Sequence, residues 1–178
     1  MGRPPRLDRC PTIKEYEDMV RRMRYEATRN PSIEKVLPLT VLVTGARISE
    51  ILMLTTVDID EDDSVLYILT EKVKGNPKRV VPVPLWYISI LHSYIIRNGI
   101  SYQLFPISRT QAWRIVKKEL GYHPHAFRHT YGMYLLYKGL DPETVRRILG
   151  HSSWEMIEYY VKTVKIDTRK RTPLDEIF

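Results

Sequence analysis

Glycine punctuation constrains this chain more than any other feature of it. Gly99, Gly121, Gly139 and Gly150 cut the second half into pieces of helical length: about 84–97, 109–119, 125–138, 142–149 and, past Gly150-His151, 153–162. Glycine is common just past a helix because the residue there often turns left-handed. The first half is read the same way. Thr12-Ile-Lys-Glu15 has the spacing of a capping box, which predicts a helix over 13–28. Ser32 heads a second, apolar helix reaching Val43, with Pro38 as a kink point, and Gly45 ends it before a short helix over 48–54. Three β-rich runs follow, at 56–60, 65–70 and 79–83, joined by the turn segments Asp60-Glu-Asp-Asp-Ser64 and Lys74-Gly-Asn-Pro77. The expected architecture is a mostly α (α+β) fold: a helical domain carrying a small three-stranded antiparallel sheet.

At 178 residues the chain fits one domain with a real hydrophobic core. No apolar run approaches the roughly 20 residues of a membrane-spanning helix. The opening Met1-Gly-Arg-Pro-Pro-Arg lacks the apolar stretch of a signal peptide. A single cysteine, Cys10, precludes an internal disulfide and fits a reducing, cytoplasmic setting. The net charge of +7 attracts polyanions. Basic residues cluster at Arg21-Arg22-Met-Arg24, Lys78-Arg79, Lys117-Lys118, Arg146-Arg147 and within 162–171, mostly flanking the motifs described next.

Those motifs are Thr44-Gly-Ala-Arg47-Ile-Ser-Glu50, Val73-Lys74-Gly-Asn76 with Lys78-Arg79-Val-Val-Pro82, His125-Ala-Phe-Arg128-His129-Thr130, Leu149-Gly-His151-Ser-Ser153, and Tyr160 nine residues past His151. Together, in this order, they resemble the tyrosine recombinases, the phage-integrase and Xer-type site-specific recombinases. The resemblance covers 12–163 as a catalytic domain, with 1–11 as an N-terminal extension and 164–178 as a tail that either folds back or acts as an arm toward a neighbouring protomer. It implies the DNA breaking-rejoining fold. It also implies double-stranded DNA and further copies of the chain, four on paired sites, as partners. No cofactor, metal or ATP is implied, since bond energy is kept in a covalent protein–DNA link. A virus, plasmid or other mobile element is a plausible source by the same resemblance. Most members carry an additional N-terminal core-binding domain, which these residues do not contain; either a catalytic fragment or a naturally single-domain enzyme is expected.

The chemistry suits the residue types. Attack on a phosphodiester builds charge on the non-bridging oxygens, and a planar guanidinium meets phosphate with two parallel hydrogen bonds. Arg47 and Arg128 are expected to grip the phosphate from two sides. The resemblance implies Tyr160 as nucleophile, His151 as a donor to a phosphate oxygen, Lys74 as the acid for the departing 5′ oxygen, and His125 as base or hydrogen-bonding helper. Tyr159, about 100° away around the helix, is expected to pack. His125 and His129 at i, i+4 have zinc-site spacing, but Ala126 stands where zinc peptidases carry Glu and no further ligand completes a set. His129 is therefore read as a hydrogen-bonded structural histidine, and Tyr131, Tyr134, Leu135 and Tyr137 as helix packing. A type IB topoisomerase and a non-catalytic DNA-binding accessory protein are the alternatives.

Overall fold

Helix α1 (Ile13–Arg29) begins where the sequence marks it: Glu15 N–H donates to the Thr12 hydroxyl (3.3 Å) while the Glu15 carboxylate takes the Thr12 N–H (2.8 Å). It buries Tyr16, Met23 and Ala27 along one stripe. Helix α2 (Ile33–Thr44) behaves differently, because every residue from Val36 to Thr44 is buried. A helix apolar on all sides must be wrapped by others, and α2 is the axis around which the rest assemble. Its two threonines return their hydroxyls to carbonyls one turn back, Thr40 to Val36 (2.7 Å) and Thr44 to Thr40 (2.6 Å), so no hydroxyl is stranded in the core. The computed structural model describes residues 9–71, 75, 77–150 and 154–164.

The short α3 (Ile48–Leu52) follows α2, and then comes the sheet, with strands β1 (Ile59–Asp60), β2 (Val65–Leu69) and β3 (Lys78–Pro82) in order 1-2-3, all antiparallel. Register is set by Ile59 opposite Leu66 and Leu66 opposite Val81. The remaining helices are α4 (Leu85–Asn98), α5 (Arg109–Leu120), α6 (Pro124–Tyr137), α7 (Pro142–Leu149) and α8 (Glu155–Val164). Helices α1, α4, α5 and α6 surround α2, and α8 lies across α6. The fold is thus mostly helical with a small antiparallel sheet, as the sequence predicts. No helix among the described residues is long and apolar enough to cross a membrane.

Two expectations change. The first β-rich run is a strand only at its end, because Thr56–Asp58 is a 3-10 turn. The Asp58 carboxylate accepts the Thr55 N–H (2.9 Å) and hydroxyl (2.7 Å) and pairs with Lys78, so local side-chain bonds outcompete the ladder there. On α6, Tyr131, Tyr134 and Leu135 are buried, but Tyr137 is 59% exposed and lies outside the core.

The turn out of α2 carries the closest packing. Gly45 has φ +58, and a Cβ there would stand 2.4 Å from Tyr131 Cδ1. Gly45→Ala is expected to cost about 3 kcal/mol, from the left-handed backbone and the overpacking together, and to lower Tm by roughly 6–12 °C. Gly121 also has positive φ (+78) but nothing within 4 Å of an added Cβ, so Gly121→Ala should cost only about 1 kcal/mol. Equal losses in thermal melts would refute the packing account.

Candidate active site

The tight turn at Gly45 delivers Arg47 to the N-terminus of α3. There Arg47 is held by the residue three positions on: its guanidinium donates to Glu50 Oε1 (2.7 Å) and its backbone N–H to Glu50 Oε2 (3.0 Å). Glu50 is fully buried, and Oε2 also accepts from the Arg79 guanidinium (2.8 Å), with Arg128 4.0 Å away. Burial alone would raise this carboxyl. The Arg79 hydrogen bond and charge, the Arg47 N–H and the Arg128 charge outweigh it, and Glu50 sits below its ordinary range. One buried anion therefore gathers three arginines from three separate parts of the chain.

Arg128 projects from the first half of α6 and is 2% exposed. It donates to the carbonyls of Gly45 (3.1 Å) and Leu149, the exits of α2 and α7. Such carbonyls lack helical partners and carry the negative end of the helix dipole, so they suit a buried cation. Burial, then Arg47 and Arg79 against the opposing pull of Glu50, lowers Arg128 to about 9, which leaves it charged at neutral pH.

A cleft of about 300 Å³ opens over this network. Arg47, Arg128 and His125 line it, so three of the expected site residues meet there. Arg109, Trp113 and His123 line it too, and these were not foreseen. A sequence signal existed: Ser108 caps α5, and Arg109 and Trp113 stand one helical turn apart on the same exposed face. His123 caps α6 by accepting the His125 N–H (3.2 Å) and meets Trp113 edge-on at 5.9 Å. Lys74 and His151 lie outside the described residues.

Tyr160 is not among the residues lining this cleft. It is fully buried on α8, while Tyr159 is only half-buried, so of the two it is Tyr160 that belongs to the core. The reason is a gap on α6: Gly132 has no side chain, and a Cβ there would be 2.8 Å from Tyr160 Cε2. The Tyr160 hydroxyl lies 2.7 Å from His129 Nδ1, so His129 is hydrogen-bonded. The His129 ring meets that of His125 edge-on at 4.7 Å, giving a line from the cleft to the tyrosine. Burial, then His125 and Arg128, lowers His129 to about 4, so its imidazole is neutral. Burial raises the Tyr160 phenol above its ordinary value, with Arg128 pulling the other way. No group of His, Cys, Asp and Glu among the described residues could hold a metal ion.

Because Glu50 is depressed in the folded chain, its stabilisation is present above the ordinary carboxylate value of about 4.3 and is lost as pH falls through the lower folded value. Glu50→Gln leaves three arginines without their anion and should cost about 3 kcal/mol at pH 7. It should also flatten the acid limb of stability measured by denaturant titration. An acid limb as steep as that of the unsubstituted protein would assign that limb to other carboxylates.

The family model of the phage integrases matches residues 12–165. Among curated proteins, tyrosine recombinase XerD of Corynebacterium glutamicum is 34% identical over 136 residues, 66% of this chain and 44% of its own length. Tyrosine recombinase XerD of Chlorobaculum tepidum is 30% identical over 175 residues, 84% of this chain and 57% of its own. The chain thus spans about half the length of these relatives. Among solved structures, XerH recombinase bound to a palindromic difH substrate, a post-cleavage complex, superposes with TM-score 0.73 at 20% identity. That match covers 90% of this chain and 51% of XerH. XerA recombinase superposes with TM-score 0.67 at 21% identity over 96% of this chain and 66% of its own. With its fold, its motifs and these relatives in agreement, the chain belongs to the phage integrase family, the tyrosine recombinases.

Proposed function

We propose that this chain is the catalytic domain of a site-specific DNA recombinase. Tyr160 attacks a backbone phosphate, giving a 3′-phosphotyrosyl protein and a free 5′-hydroxyl. That hydroxyl, or one from a second duplex, then reverses the step, with neither metal nor ATP. The observation that carries this reading is the cleft in which Arg47, Arg128 and His125 meet. Both arginines are held in place before any ligand arrives, so little reorganisation is needed as charge builds on the phosphate oxygens. Beside the cleft, α5 presents exposed Arg109, Arg114, Lys117 and Lys118, a surface suited to the flanking phosphates. By family resemblance, His151 donates to the phosphate and Lys74 protonates the leaving 5′ oxygen. The working unit is several copies on paired duplexes.

The buried Tyr160 adds a step. Burial lowers His129 to about 4 and raises the Tyr160 phenol above its ordinary value, so proton transfer within this hydrogen bond is unfavourable. His129 therefore holds the hydroxyl in this arrangement and does not deprotonate it. For attack, the Tyr160 hydroxyl exchanges its hydrogen bond to His129 for the phosphate held at the arginines.

The test is a pool of nicked duplexes of randomised sequence, from which SDS-resistant protein–DNA adducts are recovered and sequenced. Adducts should form with the unsubstituted chain and with Tyr159→Phe, and vanish with Tyr160→Phe. Persistence in Tyr160→Phe with loss in Tyr159→Phe would overturn the assignment. Arg47→Ala or Arg128→Ala should slow adduct formation by about a hundredfold or more. Lys74→Ala should be restored by a 5′-bridging sulfur, a leaving group that needs no acid; failure of that rescue removes Lys74 from the acid role.

A further inference from the structure

Arg79 has no part in the chemistry above, yet its guanidinium makes four hydrogen bonds beside the site. It rises from β3 with 8% of its side chain exposed. Its Nε–H donates to the Ile148 carbonyl (2.8 Å), one terminal N to the Leu69 carbonyl and the Thr70 hydroxyl (3.2 Å each), and the other to Glu50 Oε2 (2.8 Å). These acceptors come from the last turn of α7, the end of β2 and α3. Only a guanidinium has the fixed fork of donors to serve all three; an ammonium is a single point charge. Space is kept for it by Gly150, where a Cβ would fall 2.9 Å from Arg79 Cδ.

Arg79 and Arg128 share a frame. They take consecutive carbonyls, those of Ile148 and Leu149, at the end of α7, and Glu50 lies 2.8 Å from the first and 4.0 Å from the second. Arg79 is absent from the cleft lining, whereas Arg47 and Arg128 are present. The charges decide what this arrangement does. Glu50 carries one negative charge, and if Arg47 and Arg128 were its only partners, about half of their positive charge would be spent on it. With Arg79 as a third partner outside the cleft lining, the carboxylate still orients Arg47, while close to two positive charges face the cleft.

We propose that Arg79 is a positioning residue for strand cleavage, neutralising Glu50 from behind so that Arg47 and Arg128 are held in register with their charge left for the phosphate. This rests on the recombinase reading. It goes beyond it in assigning the strand arginine a role exerted through Glu50.

The role predicts a suppressor. With a duplex recovered from the randomised pool, Arg79→Gln should slow single-turnover adduct formation by about a hundredfold, while the half-saturating duplex concentration moves less than about threefold. Adding Glu50→Gln removes the carboxylate that, without Arg79, draws on the charge of Arg47 and Arg128, and the double variant should recover about tenfold or more over Arg79→Gln alone. A residue that merely braced the sheet would give a double variant as slow as, or slower than, the single one, and that result overturns the proposal. Should Arg79→Gln not fold, the double variant is compared with Glu50→Gln. Rates equal within about twofold support the role, and a further tenfold loss refutes it. No adduct from the unsubstituted chain with any duplex of the pool would instead mark failure of the recombinase reading itself.

Discussion

The buried carboxylate of Glu50 is the interaction on which the rest of the site depends. A lone ion in a protein interior is costly, and this one is stable only because Arg47, Arg79 and Arg128 converge on it. The convergence ties α3, β3 and α6 to one point. It also leaves more positive than negative charge under an open cleft. Stability and the proposed phosphate binding are therefore two consequences of one electrostatic imbalance.

The scaffold beneath is apolar. Helix α2 is buried on all sides from Val36 onward, and its exit through Gly45 places Arg47 and receives a hydrogen bond from Arg128. The close contact between Gly45 and Tyr131 couples the core to the cleft. Tyr160 belongs to that same core through Gly132 and His129. The proposed nucleophile is buried and does not line the cleft, and its hydroxyl is bonded to a histidine too weakly basic to take the proton. Helix α8, which carries Tyr160, is joined to the domain mainly through α6 and α7.

Much of the fold was legible because its signals are local. The capping box at Thr12, and the glycines after α4, α5 and α7, each rest on bonds or backbone angles within a few residues. The 56–58 run was misread because Asp58 bonds its own neighbourhood and Lys78 in preference to a strand partner. Tyr137 was misread because α6 is apolar enough to hide which of its faces is outermost. At the site, Arg47, His125 and Arg128 were legible from motifs that resemble the family's, whereas the helical spacing of Arg109 and Trp113 marks a shared face but not that the starts of α5 and α6 line one cleft with Arg47.

By itself the sequence determined the helical class, the small sheet, the positive charge and the family, because these follow from periodicity, composition and motif order. Only the tertiary structure decided how the charges share partners and which tyrosine is buried. The physical reason is that both depend on contacts between distant segments: Glu50 with Arg79 and Arg128, and Tyr160 with Gly132 and His129. Spacing along a chain tells which residues sit on one face of a helix, whereas the neighbour that face meets is chosen by packing alone.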